Sequence, residues 1–144
     1  SGPATTEQPA TSTPSVAEQR EEQRTEVIRV AEEVAVLMST FDHTNINANS
    51  PAVLALSTDA FGSKYGEMVK ALEEIVVSGK GRAEATVVDS AVSEIDENEA
   101  TVLLFVDQMS TNVNTPDGQS QNYRMIMTLK RIDGRWLVDN META

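Results

Sequence analysis

The C-terminal third of the chain constrains the fold most. From Ala100 to Glu142 it reads ATVLLFVDQMSTN, VNTPDGQ, SQNYRMIMTLKRI, DG and RWLVDNME. Runs rich in Val, Leu, Ile, Phe, Tyr and Met alternate with glycine-containing turn signals, and such side chains suit the pleated, half-buried surface of a sheet. Asp133-Gly134 between two of these runs predicts a two-residue type I′ hairpin. Pro116-Asp117-Gly118 marks the loop of the hairpin before it. A further run ends at the turn Asp96-Glu97-Asn98, so four strands are expected, over about 82–95, 100–111, 120–132 and 136–142. Connections this short make neighbours in sequence neighbours in the sheet, hence an antiparallel meander.

A sheet with an apolar face needs a cover, and the preceding chain supplies helices. Ser15 as N-cap with Glu18 three residues on forms a capping-box pattern, opening a helix expected over Val16 to Asp42. Val27, Ala31, Val34, Met38 and Phe41 recur at alternating steps of four and three, with Ile28 and Ala35 widening the stripe. The first half, EQREEQRTE, is polar all round and is expected to project beyond the core. HTNINANS then breaks the helix. Ser50 at the N-cap with Pro51 at the first helical position starts a short second one. Thr58 caps a third, in which Phe61, Tyr65, Met68, Leu72 and Ile75 repeat the spacing. Gly62 and Gly66 weaken that helix and admit a close neighbour, and Gly79 is its expected C-cap. Helices followed by strands predict an α+β domain, three helices over one face of a four-stranded sheet. Residues 1–15, SGPATTEQPATSTPS, hold no large apolar side chain and read as a disordered linker, leaving residues 16–144 as a single domain.

Composition narrows the function classes. With 23 acidic against 11 basic residues the net charge is −12, which disfavours capture of nucleic acid and of anionic headgroups. There is no cysteine, so a disulfide framework, a Cys-based zinc site and a thiol nucleophile are excluded. The apolar run Val102–Val106 falls far short of the roughly 20 residues that cross a bilayer. The single histidine, His43, adjoins Asp42, but adjacent residues on a helix do not face each other. A histidine near a helix C-terminus suits the helix dipole, which is its expected role. Oxygen-rich turns at Asp96-Glu97 and around Asn45 to Asn49 lack EF-hand spacing, and SGKGRAE around Gly79 lacks the Walker spacing. Lys130, Arg131 and Arg135 form one basic spot, expected to be a solvated hairpin tip. Asp107 and Gln108 follow VLLFV, and one of the two must face inward. Tyr123, Met125, Met127 and Leu129 share a strand face. The candidate pocket or interface residues are therefore Tyr123, Met125, Met127, Trp136 and Asp107; no catalytic residue, cofactor or metal ligand is expected.

Helices followed by a curled meander resemble the NTF2-like cone. Within that superfamily the segments FDHTNIN, NSPAVLALSTDAFGSKYGEMVKAL, RAEATVVDSAVSEIDENEATVLLFVDQMST and DGRWLVDNME resemble the Mce-associated membrane proteins of mycobacteria and related actinobacteria, over about Val30 to Met141. The resemblance implies an extracytoplasmic domain behind one membrane helix that is missing from this sequence, with residues 1–15 as the juxtamembrane linker. It implies a non-enzymatic accessory role in Mce lipid import, with Mce transporter subunits and other Mce-associated proteins as partners and lipid as a candidate occupant of the cone. It carries over no catalytic residue. Two other roles share the cone: an isomerase- or dehydratase-type enzyme, which places Asp or His on polar networks inside the cavity, and a secretion-system assembly factor.

Overall fold

A computed structural model describes residues 2–3 and 13–144; the expected linker lies mostly outside them. Helix α1 (Val16–Ser39) is capped by the Ser15 hydroxyl, which accepts from Glu18 N at 3.2 Å. Its polar first half is exposed. From Val27 onward it buries Val27, Val30, Ala31, Val34 and Ala35, an unbroken i, i+3, i+4 stripe. Val30 belongs to this stripe, whereas Ile28 sits half-exposed beside it.

The helix stops at Ser39 rather than Asp42. Thr40 turns extended (φ −117°, ψ 117°), and β1 (Phe41–Asp42) pairs antiparallel with Ala83 and Arg82. Two contacts outbid the last helical turn: Arg82 Nε donates to Asp42 Oδ2 at 2.6 Å, and Ala85 N donates to Thr40 Oγ1 at 3.2 Å. Helix α2 (Ser50–Ala55) begins at Ser50, with Asn49 in the N-cap position. The Asn49 amide does not cap α2. It donates instead to Leu37 O (3.1 Å) and Thr40 O (2.9 Å), supplying partners for carbonyls that a helix end leaves free.

Helix α3 (Asp59–Ser78) is capped by Thr58 Oγ1, which accepts from Phe61 N at 3.2 Å and donates to Asp139 Oδ1 at 2.8 Å. At its C-terminus Gly79 is the C-cap, but Lys80 takes the left-handed conformation (φ 51°), and Gly81 N closes the turn on Val76 O at 2.8 Å. Phe61 and Tyr65 are buried as expected. Met68, Leu72 and Ile75, read from the sequence as the same buried face, are 37%, 44% and 70% exposed. That face of the second half of α3 therefore stands off the core, while Val69 and Val76 still pack toward it.

Strands β2 (Arg82–Ile95), β3 (Glu99–Asn112), β4 (Thr115–Ile132) and β5 (Arg135–Thr143) complete a sheet in the order β1-β2-β3-β4-β5, antiparallel throughout. Asp133 (φ 51°) and Gly134 (φ 76°) make the β4–β5 turn, both left-handed as type I′ requires. Pro116-Asp117-Gly118 lies inside β4, not in the loop. Asn112 Oδ1 accepts from Asn114 N (2.8 Å) and Thr115 N (2.9 Å), closing the hairpin early. The three residues are then a bulge opposite Thr111, between the pairs Asn112↔Thr115 and Ser110↔Gln119. At the outer edge of β5, Val138 N donates to Leu56 O (2.8 Å) and Thr58 N donates to Val138 O (2.9 Å), which covers part of that edge.

The fold is thus α+β with a curled antiparallel sheet, but the expected arrangement of three helices on four strands is corrected. Among the described residues there are five strands, and α1 is the main helix on the sheet. Helix α3 meets the sheet mainly at β5, and α2 packs on the other two helices. A Cβ at Gly62 would lie 2.9 Å from Leu54 Cδ2, so α2 and α3 approach closely there, whereas a Cβ at Gly66 meets nothing within 4 Å. Gly66→Ala is therefore expected to stabilise the domain by about 0.5–1 kcal/mol through helix propensity alone, measured by urea denaturation.

Candidate functional site

The inward faces of the central strands change character at one level. On β3 the inward residues are Ala100, Val102, Leu104 and Val106, then Gln108 and Ser110; on β4 they run from Leu129, Met127 and Met125 through Tyr123 to Gln121 and Gln119. The register pairs Leu104 with Met125, Val106 with Tyr123, Gln108 with Gln121 and Ser110 with Gln119. The amide and hydroxyl level is therefore shared by both strands. Below it α1 fills the curl of the sheet. Above it, α1 ends.

A cleft of about 870 Å³ opens at that level, within the size range of small-molecule sites. Met68, Leu72, Ile75 and Val76 of α3 line one side; Tyr123, Met125 and Met141 line the other, with Gln108, Ser110, Gln119 and Gln121 at its polar level. Gln108 is buried, and its amide donates to Ser39 O at 2.8 Å, pinning the end of α1 to β3. The Tyr123 hydroxyl donates to Gln121 Oε1. Among the described residues lining the cleft there is no Asp, Glu or His; Arg82, at its edge, carries the one formal charge.

A second groove of about 640 Å³ shares Phe41, Arg82 and Thr111 with the cleft and is walled by the Thr40 to Asn49 segment. Here Asp42 Oδ1 accepts from Thr44 N (2.9 Å) and Thr44 Oγ1 (2.8 Å), while Oδ2 accepts from Arg82. The Thr44 backbone N–H, then its hydroxyl, then Arg82 hold the Asp42 carboxyl well below the usual carboxylate range. The backbone N–H groups of Asn98 and Glu99 lower Asp96 in the same way. His43 Nε2 lies 3.9 Å from Asp42 Oδ1, its backbone N donates to Gly81 O at 2.8 Å, and it does not line the cleft.

Of the residues expected to form a pocket or interface, Tyr123 and Met125 line the cleft. Met127 and Trp136 do not: both are buried in the core, against α1 and the neighbouring strands. Asp107 does not line the cleft either; it points to the outer face, and Gln108 takes the inward position. Sequence reasoning missed Met68, Leu72 and Ile75 as site residues because their helical spacing is that of a core stripe. The signal lay on the opposite wall, where Gln108, Gln119 and Gln121 interrupt the apolar surface those last turns would pack on.

No protein-family model matches the chain. Two uncharacterized proteins of Mycobacterium tuberculosis, Rv1362c of strain H37Rv and MT1407 of strain CDC 1551 / Oshkosh, are each 41% identical over 54 residues, 38% of this chain and 24% of theirs. The chain thus spans about a quarter of the length of the curated relatives it matches. Among solved structures, an IcmL-like type IV secretion system protein of Legionella pneumophila superposes with a TM-score of 0.71 at 15% identity, covering 84% of this chain and 91% of that one. CagV, a VirB8 homolog of the Helicobacter pylori type IV secretion system, gives 0.65 at 10% identity over 82% and 96%. The periplasmic domain of DotI gives 0.65 at 11% identity over 94% and 99%. These likenesses are of fold.

The Asp42 carboxyl binds its proton more weakly in the fold than in the unfolded chain. Its stabilising contribution is full above the unfolded value of about 3.9 and is lost as pH falls from there toward the folded value. Asp42→Asn is accordingly expected to lower the melting temperature at pH 7, with the deficit shrinking steadily below about pH 4. Thermal melts across that range check it; a deficit independent of pH contradicts the assignment.

Proposed function

We propose that this domain is a non-enzymatic scaffold on the extracytoplasmic side of the cell membrane, stabilising or assembling an Mce-type lipid-import transporter. One observation carries the reading. In a chain of net charge −12, the cleft is lined by apolar side chains, amides and hydroxyls, with no carboxylate or imidazole among the described lining residues. Acid/base chemistry of the isomerase or dehydratase kind needs a titratable side chain within reach of a substrate in the cavity. Docking needs apolar surface left uncovered, and Met68, Leu72 and Ile75 supply it along one helix face. Further support comes from the segments that resemble Mce-associated proteins and from the fold likeness to type IV secretion system proteins and to the periplasmic domain of DotI. Mce subunits and other Mce-associated proteins are the proposed partners. A second occupant, a lipid held in the cleft, is favoured by its volume and its greasy walls.

The test is affinity purification of the full-length membrane protein from a host carrying its Mce operon, beside a Leu72→Glu, Ile75→Glu variant. Both positions are exposed, so the variant is expected to fold with an unchanged circular dichroism spectrum and to recover Mce subunits at least about tenfold less well, as when a central apolar anchor is lost. Recovery of no Mce subunit by the wild type, with their cellular levels unchanged on deletion, overturns the role. Undiminished recovery by the variant overturns the docking site.

A further inference from the structure

The run Val102–Val106 is apolar at every position, whereas an antiparallel strand with one wet face alternates. Only its even members face the core. Val102, Leu104 and Val106 are buried, while Leu103 and Phe105 point to the outer face of the sheet, 39% and 50% exposed. Beside Leu103 on that face stand Ala91 on β2 and Ile126 on β4. A bulge in β2 throws Val88 out next to them, 63% exposed. A strand apolar on both faces, with one face covered, leaves the other asking for a cover.

The charges around this patch say what the cover is. Phe105 has Asp89 as its cross-strand partner on β2 and Arg124 on β4, so the three stand in one row with opposite charges at its ends. Arg124 leans over the Phe105 ring, 6.0 Å from the centroid. Neither Asp89 nor Arg124 has an ion-pair partner among the described residues. Their strands are two inter-strand spacings apart, about 10 Å, with Phe105 between them, and they do not pair with each other.

We propose that this outer face is a homodimer interface, occupied by a second copy of this chain. A two-fold axis lying along β3 over Phe105 carries β2 of one copy above β4 of the other. Asp89 of each copy then stands over Arg124 of the other, Phe105 meets Phe105, Leu103 meets Leu103, and Ala91 meets Ile126. One patch thus serves as both halves of an isologous interface, with the sheets packed face to face about 10 Å apart. A uniformly basic partner or an anionic surface would satisfy one end of the row and oppose the other. Asp107, the next outward residue along β3, faces its own copy across the axis and limits the affinity. The cleft lies on the opposite side of the sheet, so the dimer leaves both clefts open whether or not they take the partners proposed above.

Sedimentation equilibrium of the chain from about 1 µM to about 1 mM, the weak half of the affinity scale, at about 0.15 M salt, tests this. The wild type is expected to dimerise. Phe105→Glu and Arg124→Asp each weaken the dimer at least about tenfold with unchanged circular dichroism and melting. Combining Arg124→Asp with Asp89→Arg restores it, and Asp107→Asn tightens it. A monomer at every concentration overturns the proposal. So does a dimer indifferent to Phe105→Glu, or one that the exchanged charge pair fails to rescue. Leu103→Gln replaces Phe105→Glu as the probe if that chain does not fold.

Discussion

Five small aliphatic side chains on α1, Val27, Val30, Ala31, Val34 and Ala35, close into the concave face of the sheet against Val102, Leu104, Val106, Met127, Leu129 and Val138, all at most 1% exposed. Burial of a Val or Leu contributes about 1.5–3 kcal/mol, and the two alanines keep the helix close to the strands. The end of α1 is then clamped by side chains from elsewhere in the chain. Asn49 donates to the carbonyls of Leu37 and Thr40, and Gln108 to that of Ser39. The helix is thereby seated deep in the curl and stopped at a defined level. Above that level the sheet continues with amides and hydroxyls, and no helix fills the space.

The cleft follows from that stop. Helix α3 is anchored at its start, where Thr58 caps it and joins it to Asp139, and where Phe61 and Tyr65 enter the core. Beyond Tyr65 its apolar face runs on across a gap, because Gln108, Gln119 and Gln121 take inward positions at that height and only Tyr123, Met125 and Met141 face it from the far side of the cleft. The exposed stripe is therefore built in by a mismatch between a helix that stays apolar to its end and strands that turn polar halfway. Among the described residues no carboxylate lines this space. The sheet thus divides its labour: the concave side binds α1 and leaves a cleft charged only at its Arg82 edge among the described residues, and the convex side carries the apolar row around Phe105.

Much of this was legible in the sequence. The four long strands, the Asp133-Gly134 turn, the caps at Ser15 and Thr58 and the core stripe of α1 followed from local rules whose partners lie within a few residues. What escaped depended on contacts distant in the chain. The fifth strand at Phe41–Asp42 exists because Arg82 and Ala85 reach it from β2, and Asn49 is drawn from capping its own helix to serve α1. The orientation of Asp107 and Gln108 was hidden for another reason. VLLFV is apolar at both parities, so alternation cannot say which of the next two residues faces in. The same ambiguity was the trace of the second apolar face.

Helix α1 is locked into the sheet, while the second half of α3 stands free of it. Native-state amide hydrogen exchange, resolved by residue, measures both at once. Amides from Val30 to Met38 are expected to exchange only through global unfolding, while those from Val69 to Val77 exchange at least about a hundredfold faster through local opening, a gap of about 2.7 kcal/mol. Equal protection of the two segments would mean that α3 is as firmly docked as α1, and the standing cleft would be contradicted.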